Sequence, residues 1–289
     1  MSTDLSILGL GTMGGRVAVR AVEAGLDVVG YDPVPEAQER AAAAGVTIAE
    51  SAEACAASTP MVIVSVPNPE HVTQLARGPL QKCVVGSTVV DLSTIDPITA
   101  REAASTVAPG GVTYLDAPVL GRPDKVGNWT LVVGGEETAV EDVTPLLLRV
   151  AAAKVVRVGD TGAGSVVKLL NNLMFGAINA VTAEAIALCR DNDVDPAVFV
   201  GTVADSGAAT VSNLFRELAP RIVDGDDEPL FALDLLTKDN RLAAELAKAS
   251  GSRAPIAEAV NALNAEAVRL GFGKRDSGAV YRAYDGERA

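Results

Sequence analysis

The chain has 289 residues, of which 48% are hydrophobic, and this length suits one large domain or two of ordinary size. Its formal net charge of −13 at pH 7 argues against nucleic acids and anionic membranes as partners, because such a field repels phosphate groups. The three cysteines, Cys55, Cys83 and Cys189, are widely spaced and match no metal-binding pattern, so the sequence predicts a cytoplasmic protein without a metal site.

The first half of the chain alternates short β-rich segments with alanine-rich helical segments. Strands are predicted at 5–10, 26–32, 46–48, 61–67, 87–93, 112–119, 130–135 and 154–159. Runs of Val, Ile and Leu that alternate with helices are typical of a parallel sheet covered by helices on both faces. The sequence therefore predicts an α/β domain here.

A glycine pattern of the form GxGxxG follows the first predicted strand. It consists of Gly9, Leu10, Gly11, Thr12, Met13 and Gly14. The pattern also begins an amphipathic helix, and a strand, a turn and a helix in this order are the context of a dinucleotide-binding turn. Backbone N–H groups and the positive end of the helix receive the pyrophosphate in such a turn. We therefore predict that these six residues bind a dinucleotide cofactor.

Asp32 ends the second predicted strand, about twenty residues after the glycines. A carboxylate at this position accepts hydrogen bonds from the ribose hydroxyls and repels a 2′-phosphate, which favours NAD over NADP. An alternative interpretation is that Asp32 caps the helix that follows.

The sole histidine, His71, follows the fourth strand but has no carboxylate at a spacing that indicates catalysis. We expect it at the surface.

The pattern becomes helical after residue 162. Helices are predicted near 195–204, 210–220, 235–249 and 254–270, in addition to a long helix of about 25 residues that begins near residue 163. The sequence thus predicts two domains, 1–162 and 163–289, which the long helix joins.

The long helix is apolar but carries polar side chains. Five residues lie along one helical face at positions i, i+3, i+4, i+7 and i+11: Lys168, Asn171, Asn172, Phe175 and Asn179. The polar residues interrupt the apolar run, so no membrane span is predicted. A lysine that is partly removed from water exchanges its proton more readily near neutrality. A helix-end lysine that reaches solvent, with asparagines bonded to neighbouring helices, fits the spacing equally well.

Blocks that follow in order over nearly the whole chain resemble the β-hydroxyacid dehydrogenase family, which includes 3-hydroxyisobutyrate dehydrogenase. They are GLGTMG (9–14), SVPNPEHV (65–72), DLSTIDP (91–97), DAPVLG (116–121), GAGSVVKLLNN (162–172), LLTKDNRLA (235–243) and GFGKRDSGAVYRAY (271–284). The resemblance implies an N-terminal Rossmann domain, an all-α C-terminal domain and a long interdomain helix. It also implies a homodimer or homotetramer that acts on a small carboxylate or a similar molecule.

The same resemblance implies roles for individual residues. Lys168 would be the catalytic general acid or base, and Asn172 would orient the substrate. Ser93 would lie close to the reacting end of the cofactor. The other residues expected along the cofactor are Pro67, Thr94 and Lys238. The implied reaction is NAD-dependent oxidation of a small 3-hydroxy acid, or reduction of its semialdehyde.

The expected substrate loop departs from the family pattern, which reads Asp-Ala-Pro-Val-Ser-Gly-Gly. Leu120 replaces the serine and Arg122 replaces the second glycine, on either side of Gly121. Leu120 favours a less polar substrate. Arg122 either binds a carboxylate, sulfonate or phosphonate or lies solvated in the loop. Pro123 makes the loop similar to that of imine reductases, so an imine or ketone reductase is the alternative function, and a non-catalytic nucleotide-binding protein is the third.

Overall fold

The computed structural model describes residues 3–207 and 210–285 of the chain. The chain divides into two compact units, Met1–Lys168 and Leu169–Ala289. The division falls inside one helix, Ala163–Asp191, whereas the sequence predicted it just before that helix begins.

The described part of the first unit contains a nine-stranded sheet with helices between most of its strands. The strands are β1 (Leu5–Leu8), β2 (Val28–Tyr31), β3 (Thr47–Ile48), β4 (Met61–Val64), β5 (Thr88–Asp91), β6 (Thr113–Asp116), β7 (Val119–Leu120), β8 (Trp129–Gly134) and β9 (Ala152–Gly159). The helices are α1 (Gly14–Glu23), α2 (Pro35–Ala43), α3 (Ala52–Ala56), α4 (Pro69–Arg77), α5 (Pro97–Val107) and α6 (Glu137–Val150). The predicted alternation of strands and helices is confirmed.

The strand order positions a ligand site. The sheet runs β3-β2-β1-β4-β5-β6-β8-β7, and β9 pairs with β8. Strand β1 pairs in parallel with β2 on one side and with β4 on the other, so the order of connection reverses beside β1. Dinucleotides bind at the carboxyl ends of the strands at such a reversal, and the predicted Rossmann architecture is confirmed.

One part of the sheet differs from the predicted parallel pattern. Strand β8 runs antiparallel to β6 and β7. The chain passes from β6 through β7 and a short loop to β8, and without a crossover helix it returns in the opposite direction. Helix α6 then restores a parallel pairing between β8 and β9.

The sheet of the first unit is buried on both faces. Alternate residues of β1 contribute to different apolar clusters, with Leu5 and Ile7 in one and Leu8 in the other. This two-sided burial explains why the strands read as continuous apolar runs with no polar residue at every second position.

The described part of the second unit is built mainly from helices. Helix α7 (Ala163–Asp191) belongs to this unit from Leu169 onward. The other helices are α8 (Pro196–Asp205), α9 (Asn213–Asp224), α10 (Leu233–Ala249), α11 (Pro255–Ala267) and α12 (Arg282–Asp285). Capping side chains mark where two of them begin, because Asp195 accepts a hydrogen bond from the N–H of Ala197 and Ser212 from that of Phe215. The predicted helical domain is confirmed.

Among the described residues, α7 is the one helix long and apolar enough to cross a membrane by length and composition. This is weak evidence, because core helices of soluble proteins meet the same criterion. Asn172, Asn179 and Thr182 are buried along α7, and such polar side chains are costly in hydrocarbon.

Candidate functional site

The turn between β1 and α1 can be built only with glycine at two positions. A Cβ atom on Gly9, whose φ is +98°, would lie 2.1 Å from the carbonyl oxygen of Ser65. A Cβ atom on Gly14 would lie 2.0 Å from the carbonyl oxygen of Gly9. Gly11, by contrast, is exposed and has no neighbouring atom within 4 Å of such a Cβ, so its backbone is open to a ligand.

The first turn of α1 also suits a phosphate group. Its N-cap residue, Met13, makes no side-chain capping bond, and the first turn contains no acidic residue. Thr12 is exposed beside it, whereas Leu10 is buried and anchors the turn in the core. Backbone donors at the start of α1 are thus available for an anion, and the turn fits the pyrophosphate of a dinucleotide.

Asp32 fastens this turn to the end of β2. Its Oδ2 accepts a hydrogen bond from the N–H of Leu10 at 2.7 Å, and its Oδ1 accepts one from the N–H of Val34 at 2.9 Å. Asp32 does not cap α2, because the N-cap position belongs to Val34, so that alternative interpretation is wrong. The role of Asp32 toward ribose stays a prediction.

Ser93 joins the loops that follow β4 and β5. Its buried hydroxyl accepts a hydrogen bond from the N–H of Val66 at 2.9 Å, and Val66 immediately precedes Pro67. Thr94 follows Ser93 along the chain. Ser93 therefore ties together the two loops in which Pro67 and Thr94 are expected to border the cofactor.

A second buried group holds Ser93 in place. Asp91 accepts hydrogen bonds from the N–H of Ser93 at 2.8 Å and from the hydroxyl of Tyr114 at 2.5 Å. Burial raises the pKa of Asp91, and burial together with the nearby carboxylate raises the pKa of Tyr114. Strands β5 and β6 are thus joined through side chains as well as through the backbone ladder.

His71 lies in α4 with its side chain exposed, as predicted. Its backbone N–H donates to the side chain of Asn68, which caps the helix. This bond involves only the backbone of His71, and among the described residues no hydrogen bond gives the imidazole a catalytic partner.

Asp116, at the end of β6, caps the start of α7. Its carboxylate accepts hydrogen bonds from the N–H of Gly162 at 2.6 Å, from the N–H of Ser165 at 2.7 Å and from the hydroxyl of Ser165 at 3.0 Å. A Cβ atom on Gly164 would lie 2.4 Å from the carbonyl oxygen of Val132, so the helix meets the sheet closely. Burial outweighs these hydrogen bonds and raises the pKa of Asp116 to about 6.

Lys168 lies one helical turn after Ser165 and is half-buried. Its Nζ donates a hydrogen bond to the carbonyl oxygen of Val119 at 2.7 Å. The short segment 116–119 therefore holds both the start of α7 and the lysine on its second turn. Asp116 belongs to a block that carried the family resemblance, but the sequence did not indicate this capping role.

The loop after β7 is fixed on Trp129, which is fully buried. Leu120 is half-buried and pairs with Thr130 of β8. A Cβ atom on Gly121 would lie 2.4 Å from Cδ1 of Trp129, and the indole N–H donates to the carbonyl oxygen of Arg122 at 2.6 Å. The backbone at 120–122 is thus well supported, while the predicted contacts of these three residues with a substrate stay predictions.

In the second unit, Asp239 joins two residues that the resemblance assigned to the site. The amide of Asn172 donates to Oδ2 of Asp239 at 2.6 Å, and Nζ of Lys238 lies 3.0 Å from its Oδ1. Asp239 is 2% exposed. No pattern in the sequence indicated this residue, although it lies in the same block as Lys238.

Two other asparagines of α7 do not bond to neighbouring helices as predicted. The amide of Asn171 donates to Asn172, its neighbour on the same helix. Asn179 is fully buried, and within the described residues neither its nitrogen nor its oxygen has a hydrogen-bond partner. Helical spacing indicates which face a side chain occupies, but it carries no information on whether a partner lies opposite.

Comparisons with known proteins cover both units. Residues 4–159 match the family model described as the NAD binding domain of 6-phosphogluconate dehydrogenase. Residues 162–284 match the model described as "NAD-binding of NADP-dependent 3-hydroxyisobutyrate dehydrogenase". An L-threonate dehydrogenase of Escherichia coli (strain K12) is 34% identical over 98% of this chain and 95% of its own length.

Solved structures share the fold. A 3-hydroxyisobutyrate dehydrogenase of Mycobacterium tuberculosis, solved with L-serine, is 28% identical with a TM-score of 0.89 over 98% of this chain and 99% of its own. An imine reductase from Pseudomonas sp. is 19% identical with a TM-score of 0.59 over 96% of this chain and 98% of its own, a likeness of fold alone.

Proposed function

The chain belongs to the β-hydroxyacid dehydrogenase family and is a nicotinamide-dependent oxidoreductase; from this premise we propose that it interconverts a small 3-hydroxy acid and its semialdehyde. The family resemblance seen in the sequence is confirmed by these matches. The observation that carries the proposal is the placement of Lys168, whose Nζ donates to the carbonyl oxygen of Val119 at the start of α7.

The cofactor of this proposal is NAD, and it supplies the hydride acceptor or donor. The residues that would hold it are the turn 9–14 and Asp32, with Pro67 and Thr94 alongside and Lys238 from the second unit. The open backbone at Gly11 and the close approach at Gly14 support the pyrophosphate position. Asp32 supports NAD, since its carboxylate is the acceptor that ribose hydroxyls require.

In this reaction the protein itself transfers the proton. In the oxidation direction, Nζ of Lys168 accepts the proton of the substrate hydroxyl, and in the reduction direction it returns that proton to the substrate oxygen. The hydrogen bond to Val119 and the cap at Asp116 hold the lysine in one position, which reduces the entropic cost of orienting it. Asn172, one helical turn later, orients the substrate.

The segment around the substrate supplies specificity. Ser93, Leu120, Gly121 and Arg122 are the side chains and backbone we expect in contact with the substrate. Arg122 would bind its carboxylate by two parallel hydrogen bonds, a geometry that a guanidinium group favours.

Replacing the lysine tests the proposal. We expect Lys168→Ala to lower kcat by about 10²- to 10⁴-fold, the contribution of one positioned general acid or base, while the dissociation constant of NADH is unchanged. Lys82→Ala, at an exposed position outside the site, is the matched control and should keep wild-type turnover. Wild-type turnover in Lys168→Ala would contradict the assignment.

An imine or ketone reductase is the second candidate, because the half-buried Leu120 gives the substrate loop an apolar side chain. A panel of hydroxy acids, sulfonates and cyclic imines, followed at the NADH absorbance band, distinguishes the candidates. Faster turnover of a cyclic imine than of every hydroxy acid would favour the second. Absence of turnover across the whole panel, with NADH bound, would favour a non-catalytic nucleotide-binding protein.

We also propose a cytoplasmic homodimer or homotetramer. The three cysteines are free, which suits a reducing compartment. Four exposed apolar residues share one face of α7 in the second unit: Leu170, Met174, Val181 and Leu188. A second copy of this chain is the partner we expect on this stripe.

A further inference from the structure

The loop after β4 rests on the glycine turn. A Cβ atom on Gly9 would lie 2.1 Å from the carbonyl oxygen of Ser65, and a Cβ atom on Gly14 would lie 3.0 Å from Cβ of Ser65. The N–H of Ser65 also donates to the carbonyl oxygen of Leu8 at 2.9 Å. The backbone at Ser65 therefore packs directly on the turn that suits the pyrophosphate, and a shift of this loop would disturb that turn.

Just beyond Ser65, a side chain takes the place of the backbone ladder between β4 and β5. The N–H of Leu92 still donates to the carbonyl oxygen of Val64 at 2.8 Å. The N–H of Val66, however, donates to the hydroxyl of Ser93 at 2.9 Å. A side-chain hydroxyl rotates about its own bonds, whereas a carbonyl of the ladder is fixed by the strand. The position of Val66 therefore depends on the groups that hold Ser93.

Ser93 is held by a buried pair, Asp91 and Tyr114. Oδ1 of Asp91 accepts a hydrogen bond from the N–H of Ser93 at 2.8 Å, and its Oδ2 accepts one from the hydroxyl of Tyr114 at 2.5 Å. Burial raises the pKa of Asp91, although the hydrogen bonds from Ser93 and Tyr114 oppose this effect. Each carboxylate oxygen has its own donor, so the orientation of the carboxylate is fixed.

The sheet does not need this polar pair for its own stability. Val89 and Val90 of β5 and Leu115 of β6 are apolar and fully buried, so both strands form with apolar side chains. Apolar residues in place of Asp91 and Tyr114 would avoid the desolvation of a carboxylate and a hydroxyl. Asp91 is the last residue of β5, and its carboxylate bonds to the loop that follows. This placement indicates that the pair serves the loop.

We propose that Asp91 is a positioning residue for the nicotinamide half of the cofactor. Its carboxylate fixes Ser93 by hydrogen bonding, and the hydroxyl of Ser93 fixes Val66, so that both loops are in position before the cofactor binds. Loops that are already ordered lose less conformational entropy when a ligand binds. This inference rests on the proposed function, in which Pro67 and Thr94 border the cofactor.

Fluorescence titration of the full chain with NADH tests the proposal, and displacement of NADH by 5′-AMP measures the affinity for a ligand without the nicotinamide half. Asp91→Ala leaves the N–H of Ser93 and the hydroxyl of Tyr114 without their acceptor. We expect the dissociation constant of NADH to rise by about tenfold, as for a buried donor left unpaired, and that of 5′-AMP to stay unchanged.

Ser6→Ala is the matched control. It also removes a buried hydrogen bond from the same sheet, because the hydroxyl of Ser6 donates to the carbonyl oxygen of Cys55 at 2.7 Å. Its affinity for NADH should equal that of the wild type.

Two conservative variants sharpen the test. Tyr114→Phe removes one donor to Asp91 and keeps the ring, so we expect a smaller loss of NADH affinity, of about threefold. Asp91→Asn should keep NADH affinity close to that of the wild type, because the amide oxygen accepts from the N–H of Ser93 and the amide nitrogen donates to the hydroxyl oxygen of Tyr114. In turnover assays of Asp91→Ala, the change should appear mainly in KM for the cofactor and less in kcat.

Three results would overturn the proposal. The first is wild-type NADH affinity in both Asp91→Ala and Tyr114→Phe. The second is an equal loss of affinity for NADH and 5′-AMP, which would indicate a general loosening of the fold. The third is an Asp91→Asn variant that binds NADH as weakly as Asp91→Ala does, which would assign the effect to charge and not to hydrogen bonding.

The binding test is also independent of the reaction. Weakened NADH binding in Asp91→Ala, in a protein that oxidises no hydroxy acid, would support the positioning role and refute the reaction. Turnover of a hydroxy acid by the wild type, combined with wild-type NADH affinity in Asp91→Ala and Tyr114→Phe, would do the reverse.

Discussion

At the residue scale, Asp116 shows how the fold uses a buried carboxylate. Its hydrogen-bond donors, Gly162 and Ser165, lie 46 and 49 positions further along the chain. The start of α7 favours a negative charge through its free N–H groups and its dipole, while burial disfavours it. Burial prevails, and the pKa of Asp116 is raised to about 6 from 3.8.

The raised pKa of Asp116 predicts that the free energy of unfolding depends on pH. Native Asp116 holds its proton more tightly than unfolded Asp116, so its contribution to the free energy of unfolding is present below pH 3.8 and is lost as the pH rises through about 6. Relative to Asp116→Asn, which cannot titrate there, the wild type should lose about 3 kcal/mol over that window. Urea denaturation of both proteins at a series of pH values measures this difference.

Ser165→Ala is the control for that experiment. It removes one hydrogen bond to the same carboxylate but keeps the titrating group. Because that hydrogen bond lowers the pKa of Asp116, the variant should also lose stability as the pH rises, and the loss should extend to a higher pH than in the wild type. If Asp116→Asn also follows the wild-type curve in parallel, the raised pKa is wrong.

At the element scale, α7 carries two buried asparagines that differ in whether their side chains are hydrogen-bonded. Asn172 donates to Asp239 at 2.6 Å, whereas Asn179 has no partner within the described residues. Gly176 lies between them, and a Cβ atom there would lie 2.2 Å from Nδ2 of Asn240, so α7 and α10 approach closely at this point. The same residue type thus stabilises one turn of the helix and costs free energy at another.

The unpaired amide gives a prediction for this helix. We expect Asn179→Leu, which has a similar volume and no polar atoms, to raise the free energy of unfolding by about 1–2 kcal/mol. Asn172→Leu should lower it by about 2–3 kcal/mol, because the buried carboxylate of Asp239 would lose the amide donor and keep only the ion pair with Lys238. Chemical denaturation of the two variants checks both signs. A destabilised Asn179→Leu would instead indicate that water bonds to this amide.

Most of the element pattern followed from local sequence. The helices α8 to α11 and the strands β1 to β6 lie where apolar periodicity predicted them, whereas the short helix α12 was not predicted. Strand β8 was also predicted, but its antiparallel direction was not, because a strand's direction depends on which neighbour it pairs with and leaves no trace in its own residues.

At the scale of the whole molecule, the net charge and the apolar stripe on α7 have opposite effects on association. A charge of −13 repels a second copy, while Met174 and Val181 expose 67% and 61% of their surface and favour burial against one. We expect the apolar stripe to prevail at physiological salt, where the charges are screened.

The stripe yields a prediction about assembly. Val181→Glu should convert the oligomer to a monomer or weaken its association by at least about tenfold, because a charge would be buried in the interface. Val198→Glu on α8 is a matched control, since Val198 is also 61% exposed but lies outside the stripe. Light scattering after size exclusion measures the mass of each. Wild-type mass for Val181→Glu would refute the interface.

The sequence by itself determined the glycine turn, the alternation of strands and helices, and the family. These features depend on local spacings, of two to five residues, between glycines or between apolar residues. Only the tertiary structure decided that Asp116 caps the lysine-bearing helix and that Asn172 bonds to Asp239. The paired residues are 49 and 67 positions apart. Hydrogen bonds act over about 3 Å, so a contact between such distant positions exists only once the sheet and the helices have brought them together.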